Sequence, residues 1–206
     1  MQDHFWIGQF VDANQAAFVD FWARQYKGGV TADATYNHNI SLKPFTKDAI
    51  TELFQWKNGG KLSKKKEISV EHNYVSRKDS DSVKQAIDFP HGKSIDQLTD
   101  FANGFLQNAF PTGGAIWRIF WLHCCNRCFP IYDQHVHRAM VLLEEGRIEE
   151  LDKVPDEKKV DLYLTRYLPF HHRLSGEQRN IDRALYTFGQ FIKKWPNFCP
   201  QELPNH

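Results

Sequence analysis

The sequence predicts an all-α protein, and three observations support that prediction. Apolar residues recur every three or four positions through most of the chain, and capping residue types stand where several of these segments begin. Glycine or proline follows where the segments end. Strict alternation of apolar and polar residues is scarce, so residues 67–74 are the one weak candidate for a strand.

The periodic segments define eight predicted helices. Their bounds are residues 15–27, 46–57, 79–88, 94–106, 115–125, 133–145, 156–167 and 175–195. Asp12 or Asn14 could cap the first helix, Ser94 caps the fourth, and Asp133 begins the sixth, which Gly146 ends. Residues 115–125 are apolar on every side, which is typical of a central, buried helix.

Composition limits the classes of function. A chain of 206 residues can bury a core in one domain or in two small lobes. The formal net charge is +1, so any case for a polyanionic partner must rest on a local basic patch. We expect no membrane association, because the chain has no apolar run of about 18 residues.

Cysteine usage bears on the cellular compartment. Cys124, Cys125 and Cys128 crowd into five positions, and the chain opens without a basic, apolar leader. These features favour a reduced, intracellular protein, so we expect a cytoplasmic location. Cys124 and Cys128 are one helical turn apart and are expected to be core residues rather than metal ligands.

One acidic residue stands at the mouth of a helix, downstream of a Pro/Gly turn. The turn is Phe110-Pro111-Thr112-Gly113-Gly114, and it precedes the apolar helix of residues 115–125. The acid lies in the stretch Pro130-Ile131-Tyr132-Asp133, and Val136 and Arg138 follow it. The order is therefore helix, hairpin, apolar helix, short loop and an aspartate at a helix start.

Over about residues 95–143 this order resembles the helix-hairpin-helix DNA glycosylase superfamily of the HhH-GPD type. The family places its acid in a phrase of the form Pro-apolar-x-Asp-x-x-Val-x-Arg, which Pro130, Ile131, Asp133, Val136 and Arg138 match. The match is closest to the branch that removes mispaired adenine. The hairpin departs from the family pattern, since no glycine follows Pro111 and the turn is one residue shorter.

The resemblance implies a fold, a partner and a reaction. Residues 31–128 would form a helix-hairpin-helix lobe, residues 1–30 with 129–206 would form a second lobe, and Asp133 would lie in the cleft between the lobes. The partner would be double-stranded DNA containing a damaged or modified base, in repair or in defence against modified foreign DNA. We expect hydrolysis of the N-glycosidic bond to leave an abasic site, with no obligate protein partner.

The resemblance also bears on cofactors and on strand cleavage. Relatives with an iron-sulfur cluster use four cysteines beyond the acid, whereas this chain has only Cys199 there, so no cofactor is expected. Relatives that cleave the strand use a lysine near the start of the second hairpin helix. No lysine occurs here between Lys93 and Lys153, so we expect activated water alone to act.

The chemistry of Asp133 supports the same reaction. Breaking an N-glycosidic bond builds positive charge on the sugar, which an ionised carboxylate stabilises while it orients the attacking water. N–H groups at a helix start favour the charged carboxylate. The alternative is that Asp133 only caps its helix, which is worth about 1 kcal/mol.

The other candidate residues fall into two sets. Tyr132, Trp117 and Trp121 are expected to line a base pocket or alternatively to belong to the core. His135 and His137 are expected to face the same pocket, or alternatively at least one of them lies on the surface of its helix. Residues expected to contact the DNA backbone are Thr112, Gly113, Gly114 and Ala115 through their N–H groups, together with Arg138, Lys64, Lys65 and Lys66. Arg138 could instead pair with a carboxylate near the acid.

Two further hypotheses come from other classes. The chain could be a non-catalytic DNA-binding protein that keeps the hairpin and uses Asp133 only as a cap. It could also be a metal-dependent hydrolase built on His123, His135 and His137. A DNA-binding protein would differ from a glycosylase because it releases no base. A metal-dependent hydrolase would differ because it loses activity when the metal is chelated. We expect no metal site.

Overall fold

The computed structural model describes residues 14–28, 30–110 and 113–196. Within them the protein is all-α, with no strand. The helices are α1 (Gln15–Arg24), α2 (Val30–Ser41), α3 (Lys47–Lys57), α4 (Lys64–Arg77), α5 (Asp81–Ile87), α6 (Ile95–Asn108), α7 (Ala115–Cys125), α8 (Gln134–Glu145), α9 (Asp156–Leu162), α10 (Leu168–Arg173) and α11 (Gln178–Lys194), with a 3₁₀ turn at Leu151–Lys153 and a π-helical turn at Tyr163–Tyr167. No helix in these ranges is both long and apolar enough to cross a lipid bilayer.

Caps stand where the sequence predicts helix starts. Asn14, Ser94 and Asp133 each accept hydrogen bonds from the first turn of the helix that follows, and Ser94 forms a full capping box with Gln97. Gly146 ends α8 in the left-handed conformation, with a φ of 70°. These local signals explain why the bounds of most predicted helices are confirmed to within a few residues.

The strand candidate at residues 67–74 is wrong, because this segment lies inside α4. Ser63 caps the helix, and Val70 and Asn73 occupy its buried side at helical spacing. Exposed Ile68 lies two positions before buried Val70, and this spacing produced the strand-like pattern. Helix α2 is not among the predicted helices; among its described side chains, Tyr36 and Ile40 are the only large apolar residues on the buried side, too few for a clear periodic pattern.

The chain divides into two compact units. The central unit is Gly28–Phe129, and the terminal unit comprises the described residues up to Lys27 and from Pro130 onward. The sequence placed its two lobes at residues 31–128 and at 1–30 with 129–206. A discontinuous unit of this kind arises because the first helix packs with the C-terminal half of the chain.

The core of the central unit forms around α7. The prediction that this helix is buried is confirmed, since Ile119, Phe120 and Leu122 have almost no exposed surface. Phe54 of α3 packs against the rings of both Phe120 and Trp121, with centroid distances of 4.9 and 4.8 Å. Burial of this aromatic cluster gives the unit a hydrophobic core of its own.

The core of the terminal unit forms around α11, which packs against α1 and α8. Phe188 of α11 lies edge-on to Phe18, at 5.3 Å, and contacts the ring of Trp22, at 5.0 Å. The segment that the sequence predicts as one helix over residues 156–167 is α9 continued by the π-helical turn. That turn brings Tyr163 and Tyr167 into the core.

Candidate functional site around Asp133

Asp133 is the N-cap of α8 and is partly exposed to solvent. Its Oδ1 accepts hydrogen bonds from the backbone N–H groups of His135, at 2.8 Å, and Val136, at 3.2 Å. The capping role considered for this residue is therefore present. The same geometry holds a carboxylate at the positive end of a helix dipole, where negative charge is favoured.

Three tyrosines lie within the electrostatic field of this carboxylate. Burial raises the pKa of Tyr132, Tyr167 and Tyr186, and the charge of Asp133 raises each of them further. Tyr132 and Tyr167 pack ring against ring, with centroids 4.9 Å apart. The three phenols are therefore neutral at physiological pH.

Tyr132 is a core residue rather than the exposed wall of a base pocket. Its ring is almost fully buried against Tyr163 and Tyr167, and its Oη lies 2.9 Å from His137 Nδ1. We therefore withdraw its assignment to substrate contact, because a buried ring that packs on two others cannot also stack on an extruded base.

His137 is fully buried, which corrects its assignment to a base pocket and the alternative of a helix surface. Its Nε2–H donates to Glu149 Oε1 at 3.1 Å, so its Nδ1 accepts a hydrogen bond from the Tyr132 hydroxyl. Burial lowers the pKa of His137, although Glu149 opposes that shift. The neutral imidazole therefore links Tyr132 to Glu149, and Arg147 pairs with Glu149 in turn.

His135 remains a candidate for substrate contact. It is partly exposed on the first turn of α8, directly after the helix start that Asp133 caps. Its ring lies edge-on to Tyr186, at 5.0 Å, and its Nδ1 accepts a hydrogen bond from Arg138 at 3.3 Å. The ring is thus held in one orientation beside the carboxylate.

Arg138 pairs with a carboxylate, which is one of the two alternatives expected from the sequence. Its Nε and Nη2 donate to the two oxygens of Glu150 at 2.9 and 2.5 Å, and its Nη1 donates to the Gly189 carbonyl at 2.8 Å. The side chain is 0% exposed, so its assignment to the DNA backbone is withdrawn. Arg138 instead braces the start of α8.

Gly189 and Glu150 are parts of this arrangement that the sequence analysis missed. A Cβ on Gly189 would lie 1.9 Å from the His135 carbonyl oxygen, so only glycine allows α11 to approach the first turn of α8. A glycine within the apolar stripe of α11 was the available signal. No sequence signal indicated Glu150, because only the fold brings it to Arg138.

The hairpin candidates lie in the central unit. Pro111 and Thr112 fall outside the described residues, whereas Gly113 and Gly114 are exposed just before α7. Gly113 adopts a φ of 104°, a backbone conformation that favours glycine. Ala115 is fully buried, so we withdraw its assignment to a phosphate contact.

The predicted basic segment is the first turn of α4. Lys64, Lys65 and Lys66 are exposed there, at the positive end of the helix dipole, where cations are disfavoured. Lys66 Nζ lies 5.3 Å from the ring centroid of Trp117, which is partly exposed. The structure thus brings Trp117 to the lysines, beside Gly113, whose added Cβ would lie 4.0 Å from Trp117 Cβ.

Trp121 is buried in the central unit. Its ring stacks on Phe110 with a centroid distance of 4.5 Å and an interplanar angle of 8°. Together with its contact to Phe54, this stacking makes Trp121 a core residue and withdraws it from the group of exposed base-pocket candidates.

The proposed zinc ligands are engaged in other contacts. His123 Nδ1–H donates to the Phe129 carbonyl at 2.8 Å, so its Nε2 accepts from Tyr36 Oη at 2.7 Å. The described part of the chain contains no group of three or more His, Cys, Asp or Glu residues placed to hold a metal ion. Because both nitrogens of His123 and of His137 are used, the metal-hydrolase hypothesis loses two of its three donors.

The cysteines in the described ranges are free thiols. Burial raises the pKa of Cys124 and raises that of Cys125 to about 12, so both are inert core residues. Cys128 is partly exposed and lies 2.9 Å from His91 Nδ1. The prediction that Cys124 belongs to the core is confirmed, whereas Cys128 lies nearer the surface; Cys199 falls outside the described residues.

Comparisons of the chain with family models, with curated proteins and with solved structures found no match.

Proposed function

We propose that this protein is a monofunctional DNA glycosylase that removes a damaged or modified base from double-stranded DNA and leaves an abasic site. Its fold would be a variant of the helix-hairpin-helix glycosylase architecture. The observation that carries the proposal is the geometry of Asp133: a partly exposed carboxylate, fixed at the start of a helix, in the motif that the glycosylases share.

The support for Asp133 lies in how firmly its position is set. Its Oδ1 is held by two N–H groups, and the helix behind it is braced by Arg138 and by the close approach of α11 at Gly189. A carboxylate that must stabilise a short-lived cation gains from such fixed placement, because no reorganisation is needed during the reaction.

In the proposed reaction, the extruded nucleoside places its C1′ next to Asp133. The N-glycosidic bond breaks with its electron pair moving to the base, and positive charge grows on the sugar, where the carboxylate stabilises it. A water molecule adds to C1′, and Asp133 accepts its proton. The departing base takes up one proton from solvent and Asp133 returns the proton of the water to solvent, so the products are the free base and an abasic site, with the carboxylate regenerated.

The proposed DNA contacts are electrostatic and lie in the central unit. Three exposed lysines occupy the first turn of α4 and form a local basic patch there, although Lys64 also pairs with Glu67. Their ammonium groups and the exposed backbone at Gly113 and Gly114 suit phosphate groups. Trp117, next to Lys66, could stack on a sugar or a base.

The experiment measures base release directly. Duplex oligonucleotides, each with one modified base from a panel of oxidised, alkylated, deaminated and enzymatically modified bases, are incubated with excess protein. Mass spectrometry detects the free base, and hot alkali converts abasic sites into strand breaks. We expect release of at least one base, unaffected by chelators, and no strand cleavage before alkali.

A matched pair of variants separates chemistry from helix capping. Asp133→Asn keeps a good capping side chain but removes the negative charge. Glu177→Gln makes the same acid-to-amide change at the N-cap of α11, where Glu177 accepts from the N–H groups of Arg179 and Asn180. We expect Asp133→Asn to abolish base release and Glu177→Gln to retain it. Equal activity in both variants would overturn the role of Asp133.

The non-catalytic alternative makes a different prediction. Asp133 does cap α8, which is all that a DNA-binding module would require of it. In that case the protein binds duplex DNA and releases no base from any substrate, and Asp133→Asn leaves the affinity unchanged. Binding without release across the whole panel would therefore replace the enzyme with a binding module.

A further inference from the structure

The central unit contains a cavity that the proposed function does not use. Its volume is about 160 Å³. Apolar side chains form most of its lining, and polar side chains occupy one part. The lining residues used in the argument are Phe110, Trp121, Val83, Ile87, Lys78 and Asp79.

The cavity has a closed end and an open end. Phe110, Trp121 and Val83 are nearly fully buried and form the closed end. Lys78 and Asp79 are largely exposed, with their charged groups 3.0 Å apart, and mark the opening to solvent. A small molecule can therefore enter past an ion pair that carries no net charge and reach an aromatic wall.

The wall and the volume together define the class of ligand. The rings of Phe110 and Trp121 are stacked nearly parallel, so the pair presents a rigid aromatic surface. Apolar cavities of about 150 Å³ are large enough to admit benzene. Polar groups at the opening, including the Tyr74 hydroxyl that donates to the Phe45 carbonyl, suit one polar substituent that points outward.

We propose that this cavity is a binding site for a neutral, single-ring aromatic molecule that carries one hydrogen-bonding group, of the phenol class. The cavity is lined by residues of the central unit alone, and the proposal does not depend on the proposed glycosylase activity. A charged ligand is disfavoured, because the Lys78–Asp79 pair leaves no net charge at the opening.

The test uses phenol as the probe and cyclohexanol as its non-aromatic counterpart. The protein is labelled with 5-fluorotryptophan, and the ¹⁹F resonance of Trp121 is assigned by its loss in Trp121→Phe. We expect phenol to shift the Trp121 resonance in a saturable manner and to leave that of Trp195 in place. Cyclohexanol should cause a much smaller shift. Equal response to both probes, or no saturation with phenol, would overturn the proposal.

Two matched variants locate the site. Ile87 is partly buried and lines the cavity, so Ile87→Phe fills it with little disturbance of the core. Ile68 is exposed on α4 and does not line the cavity, so Ile68→Phe is the control. We expect Ile87→Phe to weaken phenol binding by about tenfold or more, which is about 1.4 kcal/mol, and Ile68→Phe to leave it unchanged.

Folding of both variants is checked by circular dichroism and thermal unfolding. Should Ile87→Phe not fold, phenol is tested for its effect on the wild-type unfolding temperature, which a ligand that binds only the folded state raises once its concentration exceeds the Kd. Unchanged affinity in a folded Ile87→Phe variant, or no rise in unfolding temperature at saturating phenol, would show that the cavity takes no such ligand.

Discussion

Gly189 of α11 lies against the backbone of His135, so that a Cβ at this position would be 1.9 Å from the His135 carbonyl oxygen. The contact is between two backbones, and neither can move as a flexible side chain would. Arg138 fills the remaining space, with its Nη1 bonded to the Gly189 carbonyl. The first turn of α8, and with it Asp133, is thus positioned by a glycine 56 residues along the chain.

We expect Gly189→Ala to destabilise the protein by about 3 kcal/mol or more, since the clash forces two helices apart. Helix propensity alone would favour alanine by up to about 1 kcal/mol, which the clash outweighs. Chemical denaturation measures the difference. The control is Gly104→Ala on α6, where an added Cβ has no neighbour within 4 Å. A stability gain in both variants would contradict the close packing.

The Arg138–Glu150 pair is expected to be worth more than a surface ion pair. Its arginine is fully buried while its glutamate side chain is 37% exposed. A double-mutant cycle with Arg138→Met and Glu150→Gln should therefore give a coupling of about 1–3 kcal/mol, the upper part of the range found for residues in contact. The exposed pair Arg24–Asp20 is the comparison, with an expected coupling below about 1 kcal/mol. Equal couplings would show that burial of Arg138 contributes nothing.

The Arg138–Glu150 pair also makes the free energy of unfolding depend on pH in the acidic range. The hydrogen bonds from Arg138 lower the pKa of Glu150 below its ordinary value of 4.5. A glutamate with a lowered pKa stabilises the folded state above that ordinary value and loses the contribution as the pH falls below it. Denaturation at pH 6 and at pH 3.5 should therefore show a larger acid loss in the wild type than in Glu150→Gln. An equal loss of stability in the wild type and in Glu150→Gln would show that Glu150 does not contribute to the acid sensitivity.

Local sequence signals were sufficient to predict most of the helices, but they did not predict the contacts that hold Asp133 and its helix in place. Ser94, Asp133 and Gly146 act on their own helices through bonds to neighbouring backbone groups, so a sequence window contains the whole interaction. The burial of Arg138 depends on Glu150 and on Gly189, which only the fold brings together.

The same distinction explains the errors. His137 follows Asp133 on a helix and was expected at a pocket or at the surface, yet it is buried against Tyr132 and Glu149. Nothing in the sequence marks which side of α8 faces α11. The π-helical turn at Tyr163–Tyr167 adds a residue to one turn, which periodicity over residues 156–167 could not reveal.

His137 should make stability fall at mildly acidic pH. Burial lowers its pKa below the ordinary 6.5, against the effect of Glu149, while Arg166 and Arg147 add to the lowering. Below pH 6.5 the unfolded chain therefore binds a proton that the folded protein resists, and the free energy of unfolding decreases. Tyr132 faces the other ring nitrogen and stays neutral in this range, because burial raises its pKa.

The measurement is urea denaturation between pH 7.5 and pH 5 for the wild type and for His137→Gln. Glutamine can still donate to Glu149 and accept from Tyr132, but it does not titrate. We expect a smaller decrease of stability in the variant over this range. The control is His72→Gln, because His72 is exposed on α4. If His137→Gln and His72→Gln change the pH response equally, the buried imidazole is not its source.

Lys43 should affect stability at the opposite end of the pH range. Much of its side chain is exposed, but its ammonium group donates to the Cys124 carbonyl at 2.6 Å and lies 3.4 Å from the Phe45 ring centroid. Burial lowers the pKa of Lys43 from 10.5 to about 8, and the charge of Arg127 lowers it further, against Cys124 and Cys125. Protonated Lys43 is therefore disfavoured in the folded protein.

The sign of the effect follows from which state holds the proton. Between pH 8 and 10.5 the unfolded chain keeps Lys43 protonated while the folded protein releases the proton, so the free energy of unfolding rises with pH. Below pH 8 both states are protonated and Lys43 adds no slope. Lys43→Met should remove this rise, whereas Lys47→Met, at a position with an exposed ion pair to Glu71, should keep it. Denaturation curves at pH 7.5, 8.5 and 9.5 decide the matter: an identical slope in wild type and Lys43→Met would mean that the ammonium group is fully hydrated in the folded protein.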